Sequence, residues 1–214
     1  MNFVAPLTKG ERTRAHIVAT AAVLFWRFNF HGVSVDRVAD EAGVNKATVY
    51  RYFADKNDVA LAAVRYHGQL VLKNVFEANF EAHSQPDARL AAIYSDIHCA
   101  HLDLKDEAGD LYGCPIVGLA LELGQEMPVL REEAQAIFAR IESYLCEIAR
   151  DALDERGIDG SPEAIGRTLV QLLHGGFASA RLTSQPSRIL DAAQASLALI
   201  GYPHTSVVTR EQAA

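Results

Sequence analysis

No apolar run in this 214-residue chain reaches the ~20 residues that a membrane-crossing helix requires, so no membrane partner is expected. The opening Met1-Asn2-Phe3-Val4-Ala5-Pro6 lacks both the basic start and the apolar stretch of a secretory leader, which points to a cytoplasmic location. Cysteine is scarce. Cys99, Cys114 and Cys146 are odd in number and show no CxxC spacing, which suits reduced thiols rather than a disulfide scaffold. Alternating strand patterns with Asn-Gly or Asp-Gly turns are missing, as are low-complexity tracts and internal repeats. Prolines fall only at 6, 86, 115, 128, 162, 186 and 203, and most sit where a helix would start or stop. What these absences leave is an all-α chain of about nine to ten helices, half apolar and long enough to bury a proper core.

Positive charge is also short overall, with a formal net charge of −7, and that alone argues against a polyanionic partner. The distribution argues otherwise. Residues 1–60 carry eight Lys/Arg against six Asp/Glu, whereas the remaining 154 carry 12 against 21. A mildly basic head on an acidic body is the asymmetry expected when only the head meets nucleic acid.

Helix signals come in close succession at the start. Thr8-Lys9-Gly10-Glu11 is a capping box, followed by an apolar stripe at Ile17, Ala21, Leu24, Phe25 and Phe28. Ser34 is placed to cap a second, short helix ending at Ala42, and Gly43 permits a tight turn. Asn45 can cap a third helix through Phe53, and Asp55 a fourth with Asp58 in its first turn. Two short helices joined by about three residues have the geometry of a helix-turn-helix, whose second helix enters the major groove. Val35, Val38, Ala39, Ala42, Val44, Val49 and Phe53 supply its inner face. Its outer face keeps Lys46, Ala47, Thr48, Tyr50, Arg51 and Tyr52, with no acid between residues 42 and 54 to repel phosphates. The same chemistry also fits a purely structural subdomain whose aromatic residues pack on the fourth helix.

The stretch GVSVDRVADEAGVNKATVYRYFADKNDVALAAV, residues 32–64, resembles the N-terminal DNA-binding domain of the tetracycline-repressor (TetR) family of transcriptional regulators. Ala42-Gly43-Val44, Thr48–Phe53 and Asp55-Lys56 carry the resemblance, which extends over about residues 8–64. Looser similarity is found in GCPIVGLALELG (113–124) and LVQLLHGGFASAR (169–181). The resemblance implies a regulator that binds a palindromic double-stranded operator as a homodimer and responds to a small-molecule effector, acting as a repressor. It implies phosphate contacts at Ser34 and Lys56, base reading at Asn45, Lys46, Ala47 and Thr48, and backbone packing at Tyr50 and Tyr52 with Arg51 assisting. Arg37 stands where a capping box would carry Glu, and is expected to turn to phosphate instead. The implied organisation is a DNA-binding domain at 1–56, a helical effector and dimerisation domain at 57–204 and a flexible tail at 205–214.

The body shows helical stripes rather than chemistry. Pro86 opens a helix carrying Leu90, Ile93, Tyr94, Ile97 and His101, ended by a polar break at Lys105–Asp110; Pro115 opens a segment through Leu123. Pro128 begins a long helix with apolar residues from Leu130 to Ala152, ended by Gly157. Ser161-Pro162 caps the next, and a last helix follows Pro186. Small and apolar residues at Leu169, Leu172, Leu173, Gly176, Ala180, Ile189, Ala193 and Leu197 are expected to form the dimer interface as half of a four-helix bundle. Effector-lining candidates are Tyr94, His98, His101, Leu102, Tyr112, Leu119, Phe138, Ile141, Tyr144, His174 and Phe177, each equally explained as core. His98 and His101 are spaced for one metal, but no CxxC, HxxxH or carboxylate pair completes a site, so no metal or cofactor is expected. Cys114 is either a redox sensor or a small buried hydrophobe. No catalytic residue is assigned and no enzyme activity expected, since nothing like GxSxG appears. A DNA-binding protein without an effector, acting architecturally, is the alternative function.

Overall fold

The computed structural model describes residues 7–207; Met1–Pro6 and 208–214, where the absence of a leader and most of the flexible tail were read, lie outside them. The chain is all-α: among the described residues there are ten α-helices, one π-helical segment and no strand. In chain order they are α1 (Lys9–Phe28), α2 (Val35–Glu41), α3 (Lys46–Tyr52), α4 (Lys56–Val71), the π segment (Leu72–Glu77), α5 (Ala78–Ala82), α6 (Pro86–Ala108), α7 (Pro115–Leu123), α8 (Pro128–Arg156), α9 (Pro162–Thr183) and α10 (Ser187–Leu199).

Packing groups the chain into two compact units. The first joins residues up to Gln69 with Pro115–Gln135; the second joins Leu70–Cys114 with residues from Ala136 onward. Compactness thus assigns α4 up to Gln69, all of α7 and α8 up to Gln135 to the unit that holds α1–α3.

In the first unit the caps decide where the helices begin. Thr8 Oγ1 accepts from the Glu11 amide at 3.2 Å while Glu11 Oε2 accepts from the Thr8 amide at 2.7 Å, so two otherwise orphaned donors are satisfied. Ser34 and Asn45 cap α2 and α3 through the amides of Arg37 and Thr48. Asp55 accepts from the Asp58 amide, and Asp58 reaches back to the Ala54 amide, at 2.9 and 3.1 Å. The turn between α2 and α3 passes through Gly43 at φ +63°, where a side chain would be strained. Ile17, Ala21, Phe25, Val38, Ala39, Val49, Phe53, Val59 and Ala63 close a shared core. Phe28, expected on the buried stripe of α1, instead lies on the surface at 38% exposure.

The second unit holds the segment that sequence periodicity leaves blank. Between α4 and α5 the helix widens into a π turn at Leu72–Glu77, an arrangement in which each amide reaches one residue further back. This places Phe76 and Phe80 on one side, where both rings meet Tyr144 of α8 with centroids 5.5 and 4.8 Å away. Helix α6 runs to Ala108, through most of the expected polar break, and ends at Gly109 in the left-handed conformation (φ +77°). Lys105 sits in this last turn, where a cation suits the helix dipole, and its ammonium donates to the carbonyl of Ser184, the C-cap of α9, at 2.8 Å.

The residues expected at a dimer interface are packed largely against their own chain. Leu169, Leu173, Gly176, Ala180, Ile189, Ala193 and Leu197 are all buried within the single chain, and Leu172 alone is half-exposed. A Cβ on Gly176 would stand 2.9 Å from the Ala192 Cβ, so the glycine lets α9 and α10 pack directly on each other. That interface, together with the packing of α10 on α6, satisfies the apolar stripes without a second copy. Gly176→Leu is accordingly expected to cost about 1–3 kcal/mol by overpacking, measurable by urea unfolding of the isolated chain.

Candidate nucleic-acid interface

Helix α3 is only seven residues long, and its exposed side is organised by short-range hydrogen bonds. Asn45 Oδ1 accepts from both the Thr48 amide (2.8 Å) and the Thr48 hydroxyl (2.9 Å). Arg51 Nη2 in turn donates to Thr48 Oγ1 at 3.3 Å, and its guanidinium lies 5.5 Å from the Tyr52 ring centroid. These polar groups are therefore held in place before any partner arrives. Ala47 adds an exposed methyl surface, suited to a thymine methyl or close backbone approach, and Tyr50 is 48% exposed.

Three expected contacts are placed differently from the sequence reading. The Lys46 ammonium is in an ion pair with Asp36 of α2 at 2.8 Å, and this hydrogen bond holds its pKa above the ordinary value. Both partners are exposed, so the pair adds little stability and is readily exchanged for phosphate. Arg37 does not extend outward; its guanidinium covers the Phe28 ring at 3.9 Å, with Arg27 on the same ring at 5.4 Å. Stacking on an aromatic face satisfies a planar cation well, which is why the arginine prefers the ring to open solvent. Tyr52 is half-buried, its hydroxyl close to Gly10 at the start of α1, so it braces α3 against α1 as well as facing outward.

Ser34 keeps its exposed cap position, and Lys56 lies over the Phe30 ring at 3.9 Å. Partial burial lowers the Lys56 pKa, opposed by the charge of Glu122. Sequence reasoning missed Glu122 altogether. It is on α7, about ninety residues away, and accepts from the amides of Phe30 (2.8 Å) and His31 (3.1 Å) in the loop before α2. Only an isolated acid in the otherwise apolar run GLALELG hinted at it.

Of the effector candidates, Leu119 is a core residue of α7 in the first unit, and the other ten belong to the second. There Phe138, His174, Phe177 and His101 form a chain of ring contacts at 4.8, 5.6 and 5.1 Å. Burial depresses all three imidazoles of this region, His174 to about 4 and His98 and His101 below the ordinary value. Buried Nδ1 of His98 and Nε2 of His174 make no hydrogen bond, whereas His101 Nδ1 bonds to the Ile97 carbonyl at 2.8 Å. Among the described residues no third ligating side chain joins the two α6 histidines to make a metal site. Tyr94 is spent structurally: its hydroxyl is 2.7 Å from Ser196 Oγ and burial raises its pKa to about 12. Tyr144 belongs to the separate Phe76–Phe80 cluster; Ile141 is core; Leu102 and Tyr112 are half-buried. A surface hollow of about 410 Å³ in the same unit, lined by Asn79, His83, Asp87, Asp96 and Thr205 among others, contains none of these candidates. Cys99, Cys114 and Cys146 form no disulfide and are all half-buried.

Family models match both the early and the later part of the chain. Residues 17–63 match the family model described as bacterial regulatory proteins, tetR family, and residues 86–196 match a tetracyclin repressor-like C-terminal domain. The chain is 24% identical over 137 residues to an uncharacterized HTH-type transcriptional regulator of Lactococcus lactis subsp. lactis, covering 64% of this chain and 68% of that one. It is 29% identical over 146 residues to the HTH-type transcriptional regulator RutR of Escherichia coli (strain K12), covering 62% and 66%. Among solved structures, a TetR-family transcriptional regulator from Streptomyces coelicolor superposes with TM-score 0.74 at 24% identity, over 90% of both chains. Reduced NemR of E. coli superposes with TM-score 0.76 at 20% identity, over 91% of this chain and 100% of the other.

Proposed function

Because this chain belongs to the TetR family of bacterial regulatory proteins, whose members are DNA-binding transcriptional regulators, we propose that it is a ligand-responsive repressor acting at a palindromic operator. The observation that carries the DNA contact is the pre-ordered outer face of α3. Asn45, Thr48 and Arg51 are hydrogen-bonded to one another and no acid lies between Ala42 and Ala54. Ser34, Lys46 and Lys56 flank that face and supply phosphate contacts, Lys46 by exchanging Asp36 for the backbone. Arg37 contributes from its Phe28 shelf, and Tyr50 and Tyr52 pack against the backbone.

Duplexes enriched from a random pool by the wild-type protein test this reading. Thr48→Ala should relax the sequence preference of the enriched site by about 1–3 kcal/mol at the positions it reads, with little loss on random DNA. Equal loss on enriched and random duplexes would sink the assignment of α3 as the reading helix.

A homodimer supplies the second half-site contact, since two recognition helices must lie roughly 34 Å apart to share one DNA face. With the inner stripe of α9 and α10 consumed, the dimer surface is the outer one, where Gly175, Ala178 and Leu182 of α9 and Ala195, Ala198 and Leu199 of α10 are exposed. Light scattering at micromolar concentration checks it; a monomer there would overturn it. The effector is a neutral apolar or aromatic compound held by the His98–His101–His174–Phe177 region, whose two unsatisfied imidazole nitrogens stand ready for its polar group. It releases DNA by binding one arrangement of the recognition helices better than the other. The protein works in the cytoplasm and is not an enzyme.

A further inference from the structure

Glu122 makes contacts that a surface acid in an apolar helix does not need for its own solvation. Its side chain is only 21% exposed, and it lies in α7, within the same compact unit as the DNA-contacting helices. Both carboxylate oxygens are occupied: Oε2 accepts from the Phe30 amide at 2.8 Å and Oε1 from the His31 amide at 3.1 Å, with His31 Nε2 at 3.9 Å from the same oxygen. Two consecutive loop amides held by one carboxylate are charge-assisted hydrogen bonds, which fix the loop more firmly than neutral ones would. Phe30 is itself buried, 5.7 Å from the Phe25 ring, and its own ring is the surface under the Lys56 ammonium at 3.9 Å. A line of contacts therefore leads from the carboxylate to the Phe30 backbone, from the Phe30 ring to Lys56, and from the same loop to the Ser34 cap of α2.

We propose that Glu122 is a positioning residue for DNA binding: by clamping the Phe30 and His31 amides it holds the aromatic shelf that aims Lys56 at a backbone phosphate. The inference rests on the DNA-binding reading above and adds to it a residue from outside the helix-turn-helix. Its negative charge also opposes the loss of the Lys56 proton that partial burial favours, so the cation stays charged where it is needed. Without the clamp the shelf can rotate away and the ammonium is no longer directed, although it remains present.

The test is a double-mutant cycle on DNA affinity, using a duplex enriched from a random pool by the wild-type protein and titrated at several salt concentrations. Failure to enrich any duplex would refute the DNA-binding reading itself, which separates that outcome from failure of the present proposal. Lys56→Ala is expected to weaken binding about 5–10-fold and to reduce the slope of log affinity against log salt by about one, the signature of one lost phosphate contact. Glu122→Ala should reproduce both effects, and Glu122→Gln, which keeps one accepting oxygen, should recover part of the affinity. The double variant should bind within about twofold of Lys56→Ala alone, because the two side chains act as one unit. A Glu122→Ala protein with an unchanged salt slope, or losses that simply multiply in the double variant, would overturn the proposal even if its melting temperature fell.

Discussion

Phe53→Ala is expected to destabilise the first unit by about 3–5 kcal/mol and to eliminate DNA binding. The ring is 1% exposed at the C-cap of α3, its amide donates to the Val49 carbonyl at 3.0 Å, and Arg14 of α1 lies 5.0 Å from its centroid. Removing it leaves a cavity at the point where α3 is joined to α1, and a seven-residue helix has no means to persist without tertiary support. Denaturant melts of wild type, Phe53→Ala and Phe53→Leu would measure this, the leucine costing under about 1.5 kcal/mol because most of the volume is kept. An alanine variant within 1 kcal/mol of wild type would show that the aromatic ring is not what secures the helix.

Acid is expected to have the second large effect, and its source is His174. Burial between Phe138 and Phe177 lowers its pKa from the ordinary 6.5 to about 4, so the folded state strongly prefers the neutral imidazole. A histidine that binds its proton more weakly when folded costs nothing above the unfolded pKa. Stability then falls as pH drops through 6.5 and levels off only below about 4, a loss of roughly 3 kcal/mol at most from this one group. His67, His98 and His101 are shifted in the same direction by burial, and steepen the decline. Urea midpoints at pH 7.5 and 4.5 would show the loss, and His174→Phe, which keeps a stacking ring without a titrating nitrogen, should remove about half or more of it. An identical acid response in that variant would refute the assignment to His174.

Most of the first unit was legible in its residues because its signals are local. Thr8, Ser34, Asn45, Asp55 and Gly43 act within three or four positions of themselves, and each caps or turns where expected. What was not legible depends on contacts distant along the chain. Arg37 could be recognised as a cation but not as one lying on Phe28, since periodicity placed that ring inside. Lys46 gave no hint of Asp36, ten positions earlier on another helix, and Glu122 none of the loop it secures. Farther along the chain, the stripes expected on α6 and α8 are buried, because a run of steps by three and four has one interpretation. The π turn defeats that logic, as one extra residue per turn dissolves the period used to detect a helix. The stripes of α9 and α10 are buried, as their periodicity indicates, and within the single chain they cover one another; apolar periodicity says that a face is covered, not by whom.

That mutual burial of α9 and α10 bears on how the molecule is made. Because α9 closes on α10 through Gly176 and Ala192, these stripes need no second copy for their burial, and folding is expected to be first order in protein. The homodimer proposed above, joined through the outer helix faces, would then form in a separate, concentration-dependent event between finished subunits. Two populations carrying different labels should exchange partners while every core stays intact, and a cell holding two alleles of this gene would contain mixed pairs.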